Sequence, residues 1–145
     1  YEATPEDAVR AGEELTSPFD AADPDVVEQG HEVYVVFCAM CHGGSGLGDG
    51  AVTKRGYPPP PPLPTGKSTE MKDGQLFHIL TYGQGSMAPY ASQLSPDDRW
   101  RVIAYLRDVQ AKAKAEAPSD DETGDDSVEG DQPDNIGPDA PGNEP

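Results

Sequence analysis

Apolar side chains gather in three stretches of the chain, and each repeats at the three-and-four spacing of a buried helix face. Val26, Val27, Gly30, Val33, Tyr34, Phe37 and Cys41 make the first face, which predicts a helix from about Asp25 to Cys41. Pro24 stands near its start, where a missing backbone donor is harmless. A shorter pattern predicts a second helix over about Asp73 to Tyr82, with Leu76, Phe77, Ile79 and Leu80 inside and Gly83 ending it. The third is the best signalled. Ser95-Pro96-Asp97-Asp98 reads as a capped start with Pro at the first helical position, and Val102, Leu106, Val109 and Ala113 mark one stripe. Trp100, Ile103 and Tyr105 join that stripe, while Lys112 and Lys114 suit the negative end of the helix dipole and Pro118 lies just beyond.

Between the first two helices, Gly43 to Lys72 shows no period at all. It holds the run Gly43-Gly44-Ser45-Gly46-Leu47-Gly48-Asp49-Gly50 and five consecutive prolines, Pro58 to Pro62. So long a bare loop in a small domain implies that it wraps something. No alternating strand pattern and no internal repeat stands out. The expected body is all-helical and short of core.

Charge divides the chain into three parts. The 145 residues carry 27 acids against 10 bases, a formal net charge of −17. Tyr1 to Asp25 holds eight acids and the single base Arg10, and Glu116 to Pro145 holds eleven acids and no base. The middle, with eight acids and nine bases, is almost neutral. The reading is therefore an acidic N-terminal extension over 1–25, a folded body over 26–115 and an acidic Pro/Gly-rich tail over 116–145, both extensions irregular. Such arms bury too little apolar surface to offset the entropy of ordering them. They either solvate the protein or dock on basic surfaces of partners. The overall charge argues against nucleic acid as a partner. No run of about 18 apolar residues spans a bilayer, and no basic-then-apolar leader opens the sequence.

The only two cysteines stand in Cys38-Ala39-Met40-Cys41-His42, the C-x-x-C-H pattern of covalent haem c attachment. Residues three apart share a helix face, so both thiols can reach the two vinyl groups of one haem, and the adjacent imidazole can ligate its iron. Other readings of the pair are weaker. A structural zinc wants four ligands, and only Cys38, Cys41, His42 and His31 lie near in sequence. A redox dithiol wants a strand before its helix, and an isolated disulfide at this spacing is rarer still. A large apolar disc would also add core to a domain too small to make a good one itself.

The opposite axial ligand should come from downstream, since Met40 lies inside the motif and cannot swing across. Met87 is preferred, in the loop Tyr82-Gly83-Gln84-Gly85-Ser86-Met87-Ala88-Pro89-Tyr90 after a helix stop. Met71 and His78 remain as alternatives, the first otherwise a packing residue and the second a hydrogen-bonded, half-buried histidine. His31 reads as a surface residue. A proline carbonyl from Pro58–Pro62 is expected to accept a hydrogen bond from His42 Nδ1 and fix the ring. Gly66-Lys67-Ser68 fails as a phosphate loop because Pro61 stands where its first Gly belongs, and Gly46 to Ala51 follows a helix rather than the strand a dinucleotide site needs.

These residues together resemble class I cytochromes c. Gly30, Tyr34, Cys38, Cys41 and His42 fit that family's Gly-x3-aromatic-x3-Cys-x2-Cys-His, and Ile103-Ala104-Tyr105-Leu106 fits the terminal helix that crosses the first near its small residue. Pro61-x-Leu63 resembles the step that contacts the proximal histidine, and Met87 falls where the distal methionine does. The likeness is closer to the monohaem cytochrome c component of bacterial alternative complex III. It rests on Cys41-His42-Gly43 with Gly46-x-Gly48-Asp49-Gly50, Arg55-Gly56-Tyr57-Pro58, Asp73-Gly74, Gly83-x-Gly85-x-Met87, and Asp98-Arg99-Trp100 with Tyr105-Leu106-Arg107. Met87-Ala88-Pro89 departs from it, because that family usually places Pro directly after Met.

The resemblance implies a small class I cytochrome c fold around one covalent haem c, held by Cys38 and Cys41 and ligated by His42 and Met87. It implies Pro61 as a haem contact and Arg55, Tyr57 and Trp100 as candidate propionate partners. It further implies a non-enzymatic electron carrier on the periplasmic side of a bacterial inner membrane. Expected partners are the other subunits of a quinol-oxidising respiratory complex, a multihaem cytochrome among them, and a soluble acceptor or oxidase. A free periplasmic shuttle is the alternative, and a haem peroxidase a more distant one.

Overall fold

The computed structural model describes residues 1–117, and the segment expected to be an irregular acidic tail, 116–145, lies outside them from 118 onward. Five α-helices follow in order: α1 (Pro5–Glu14), α2 (Pro24–Phe37), α3 (Ala39–His42), α4 (Asp73–Tyr82) and α5 (Pro96–Glu116). Two short 3-10 turns, Thr53–Arg55 and Lys67–Thr69, interrupt the long loop. Among the described residues there is no strand, only an isolated bridge between Gln84 and Met87. The expected all-helical class is what forms.

One local code starts three of these helices. A short polar side chain accepts a backbone N–H at the N-cap, Pro follows, and acids fill the first turn. Thr4 Oγ1 accepts from Asp7 N, Asp23 from Asp25 N and Ser95 Oγ from Asp98 N. The first instance, Thr4-Pro5-Glu6-Asp7, opens a helix inside the stretch expected to be irregular. This is the main correction to the expected organisation. Residues 5–14 form a helix whose Ala8 and Ala11 are buried on α4. Acidic composition concealed it, because its buried stripe is made of alanines rather than large apolar residues. The first expected helix is also interrupted, ending as α2 at Phe37. Cys38, at φ −109°, caps it and begins the single turn of α3.

The helices pair two by two. α2 crosses α5 at Gly30, where a Cβ would lie 2.0 Å from the Arg101 carbonyl oxygen. α1 crosses α4 at Gly74, where a Cβ would lie 2.1 Å from the Ala11 carbonyl oxygen. In both places the two backbones meet at a distance only glycine allows. Between the pairs sits a core of Leu76, Trp100 and Ile103, edged by Leu15, Phe19, Met71, Phe77, Leu80 and Leu106. Arg107 braces the loop that enters α4, through Asp73 Oδ1 at 2.7 Å, Ser68 O at 3.2 Å and the Met71 carbonyl. Among the described residues no large side chain is wholly enclosed, as expected of a body short of core.

Candidate functional site

Cys38, Cys41 and His42 lie at the end of the α2–α3 run, on one turn. Both cysteines are free thiols and half-buried. Burial, with a smaller contribution from neighbouring Cys41, pushes the Cys38 thiol up to about 12, so it stays neutral. Burial also lowers the His42 pKa and favours neutral imidazole, the form that ligates metals.

A one-turn helix leaves most of its carbonyls without partners inside the helix. Here the glycine-rich loop supplies the donors. It runs back antiparallel to α3, and alternate N–H groups reach successive carbonyls: Gly46 to Gly43 (3.3 Å), Gly48 to His42 (2.8 Å), Gly50 to Cys41 (3.2 Å) and Val52 to Met40 (3.0 Å). The approach is close enough that a Cβ on Gly50 would fall 2.3 Å from the Met40 oxygen. The Tyr34 hydroxyl donates to Gly43 O at 2.7 Å, and Thr53 Oγ1 to Cys41 O at 3.3 Å. The Cys-x-x-Cys-His turn is thus held by its backbone along its whole length. The two-residue spacing of Gly46, Gly48 and Gly50 is the signal of this ladder in the sequence, and reading the motifs alone passes over it.

His42 Nδ1 is buried and has no hydrogen-bond partner. The carbonyl expected from Pro58–Pro62 does not accept from it. The neighbouring backbone explains this: Pro60 O closes on Gly48 and Pro62 O on Gly66, while Leu63 N–H donates to Gly46 O at 2.8 Å. The chain is therefore tied to the glycine loop at Pro60 and at Leu63, with Pro61 between the two contacts.

Met87 is half-buried in a tight loop after α4. Gly83 ends the helix at φ +79°, and Gln84 and Met87 exchange backbone hydrogen bonds of 3.0 and 2.9 Å. Two tyrosines tie the loop to the attachment side. Tyr57 OH donates to Ser86 O at 2.6 Å, and Tyr90 OH to Phe37 O at 3.3 Å, beside the Cys38 cap. Burial first, then the nearness of Cys38, Cys41 and Tyr57, raises the Tyr90 pKa. Sequence reasoning missed Tyr34 as a donor and Tyr90 altogether, because neither hydroxyl contact leaves a periodic trace.

The remaining candidates separate. Trp100 is 7% exposed and stacks on Phe77 at 4.3 Å in the core. Arg55 is exposed on a 3-10 turn, whereas Tyr57 belongs to the Met87 loop's anchorage. Met71 packs against the core cluster, and His78, 4% exposed, sits 2.7 Å from Glu2 O through Nε2. His31 is half-buried beside Tyr105 rather than free on the surface. Val35, Val36 and Met40, 55, 64 and 50% exposed, flank the two thiols with accessible apolar surface.

These residues fit a covalently bound haem. Two free thiols three residues apart stand next to an imidazole whose burial favours its neutral form, with a buried nitrogen still unpartnered. The family model described as cytochrome C oxidase, cbb3-type, subunit III matches residues 25–106. Among solved structures, a chain of a reducing HAO-like protein complex from Kuenenia stuttgartiensis is similar at 25% identity and a TM-score of 0.51, over 63% of this chain and 49% of that one. This chain thus spans about half the length of that neighbour. Cytochrome cL from the marine methylotroph Methylophaga aminisulfidivorans aligns at 21% identity and a TM-score of 0.48, over 68% of this chain and 69% of that one. No curated protein matches the sequence.

Proposed function

The chain belongs to the cytochrome c family through its cbb3-type subunit III domain, and from that premise we propose that it carries single electrons within a quinol-oxidising respiratory membrane complex. Its haem c is covalent, and its domain is a haem-based electron-transfer module. When bound, the haem supplies a reversible one-electron couple between ferric and ferrous iron. In this reading Cys38 and Cys41 would hold it by thioethers, and His42 and Met87 would ligate its iron. A methionine opposite a histidine sets a higher potential than a second histidine would. The observation that carries the reading is the neutral, backbone-capped His42 beside two free thiols, its Nδ1 buried without a partner.

The chain's own residues have three tasks. The glycine ladder and Tyr34 keep the attachment turn rigid. Tyr57 and Tyr90 hold the Met87 loop to it, and Tyr57 is the propionate-side candidate we retain. Val35, Val36 and Met40 leave an accessible apolar face next to the thiols, where a redox partner can approach closely. Were His42 and Met87 both to ligate the iron, no site would stay open to peroxide, which favours a carrier over a peroxidase. Replacing Met87 by Ala should give a high-spin spectrum and a lower potential. An unchanged low-spin spectrum would hand the ligand role to Met71 or His78.

Membership of an alternative complex III-like assembly, on the periplasmic side of a bacterial inner membrane, rests on the motif likeness to that complex's monohaem cytochrome. The Kuenenia neighbour, itself part of a protein complex, supports an assembled role. No helix among the described residues is long and apolar enough to cross a membrane. The test is gentle solubilisation of native membranes and size exclusion, with this chain's haem peptide followed by mass spectrometry. Co-elution with a multihaem quinol-oxidising assembly is expected. Elution alone as a small species would replace the assembled reading with a free shuttle.

A further inference from the structure

The first fourteen residues do more than cap the fold. α1 lies along α4 from Gly74 onward, with the Ala11 carbonyl in the space a side chain at Gly74 would need. The residues before α1 then pass over the far end of α4. There Tyr82 OH donates to Tyr1 O at 2.8 Å and His78 Nε2 donates to Glu2 O at 2.7 Å. The Tyr1 ring stands edge-on to His78 at 6.2 Å, and the Tyr82 ring lies 4.7 Å from it on the same helix. Tyr1 OH closes the arm on itself at Glu14 Oε2, 2.6 Å away.

That end of α4 is the base of the Met87 loop. Tyr82 is the last helical residue and Gly83 the cap from which the loop springs. A groove of about 460 Å³ separates the two segments, walled by Ala3, Thr4 and Ala8 of the arm and by Met87, Ala88 and Pro89 of the loop. The arm therefore acts on the loop through the last turn of α4, with little direct packing between the two. His78 is nearly fully buried and commits its Nε2 to the arm.

We propose that the N-terminal arm is a clasp that fixes the last turn of α4 and thereby the position of Met87, with His78 as its positioning residue. The inference rests on Met87 facing the cofactor, and its test separates the two. Gly74→Ala and His78→Leu release the arm by independent routes in the full-length haem-loaded protein. The first improves the helix propensity of α4, so any loosening must come from displacing α1. Two readouts follow: hydrogen exchange at the Gln84 and Met87 amides, and the affinity of added imidazole, which competes for a loosely held methionine position.

Both variants should speed exchange at Met87 by about tenfold, the scale on which one buried hydrogen bond shifts a local opening. Imidazole should bind more tightly by a similar factor, and His78→Gln, which keeps a donor near Nε2, should restore both. Faster exchange in α1 with unchanged exchange at Gln84 and Met87 would overturn the clasp. So would a loss of protection spread through α2 and α5 in both variants, because the arm would then be common core. If Met87→Ala left the spectrum unaltered, the ligand assignment would fall, and the exchange data would still decide the clasp.

Discussion

Two helix crossings organise this molecule, and they were not equally visible. α2 on α5 and α1 on α4 use the same device, a glycine that lets a backbone carbonyl come within about 2 Å of where a Cβ would stand. They bury very different side chains. The first crossing sets the buried Tyr34 ring against Tyr105, and its apolar stripes were legible at helical spacing. The second encloses Ala8 and Ala11 among exposed acids. Hydrophobic stabilisation scales with apolar area, so a stripe of alanines gives a weak signal in a sequence. It still gives a close contact, because small residues admit a backbone as neighbour. The two crossings also divide the work. One carries the attachment turn, and the other carries the helix from which the Met87 loop springs.

The contrast can be broken from its strongest point. Gly30→Ala places a methyl 2.0 Å from Arg101 O and 2.9 Å from Tyr105 Cβ, so α2 and α5 must separate. We expect a loss of about 3 kcal/mol or more, read as a large fall in the urea midpoint with little haem incorporated. Gly74→Ala should cost less, about 1–3 kcal/mol, and its effect should be confined to α1, α4 and the following loop. Hydrogen exchange resolved by segment checks that confinement, and equal losses in α2 would mean the two crossings form one unit. Tyr34→Phe keeps the ring beside Tyr105 and removes only the bond to Gly43 O. About 1 kcal/mol should go, measured by denaturation, with the fold intact by circular dichroism.

The smallest effect concerns the start of α5. The Ser95 hydroxyl, followed by Arg101, holds the Asp98 carboxyl below the ordinary aspartate value of 3.8 despite an opposing burial cost. A depressed folded pKa contributes stability above the unfolded value and loses it as pH falls through the folded one. Asp98→Asn should therefore lower the urea midpoint at neutral pH and make no difference in strong acid. The side chain is partly exposed, so solvent screening limits the gap to a few tenths of a kcal/mol. A gap of the same size at both pH values would show that charge is not its cause.

Periodicity and motif determined much from the sequence alone. Three helical stripes, the Cys38-Cys41-His42 turn, the Gly83 stop before Met87 and the all-helical class all follow from side chains whose neighbours along the chain decide their behaviour. The Thr4-Pro5-Glu6-Asp7 start of α1 was equally present, written in the same code as Ser95-Pro96-Asp97-Asp98, but it lacked a large apolar stripe to confirm it. Tertiary structure alone decided the rest. It decided that the glycine loop doubles back to satisfy the carbonyls of α3 and that Tyr57 and Tyr90 tie the Met87 loop to the attachment side. It also committed His78 to the arm, placed Trp100 against Phe77, and left the His42 Nδ1 without a hydrogen bond to the proline run. Each of these is a hydrogen bond or a contact between residues far apart in sequence. Its partner is chosen by how the helices cross, and no local spacing records that choice.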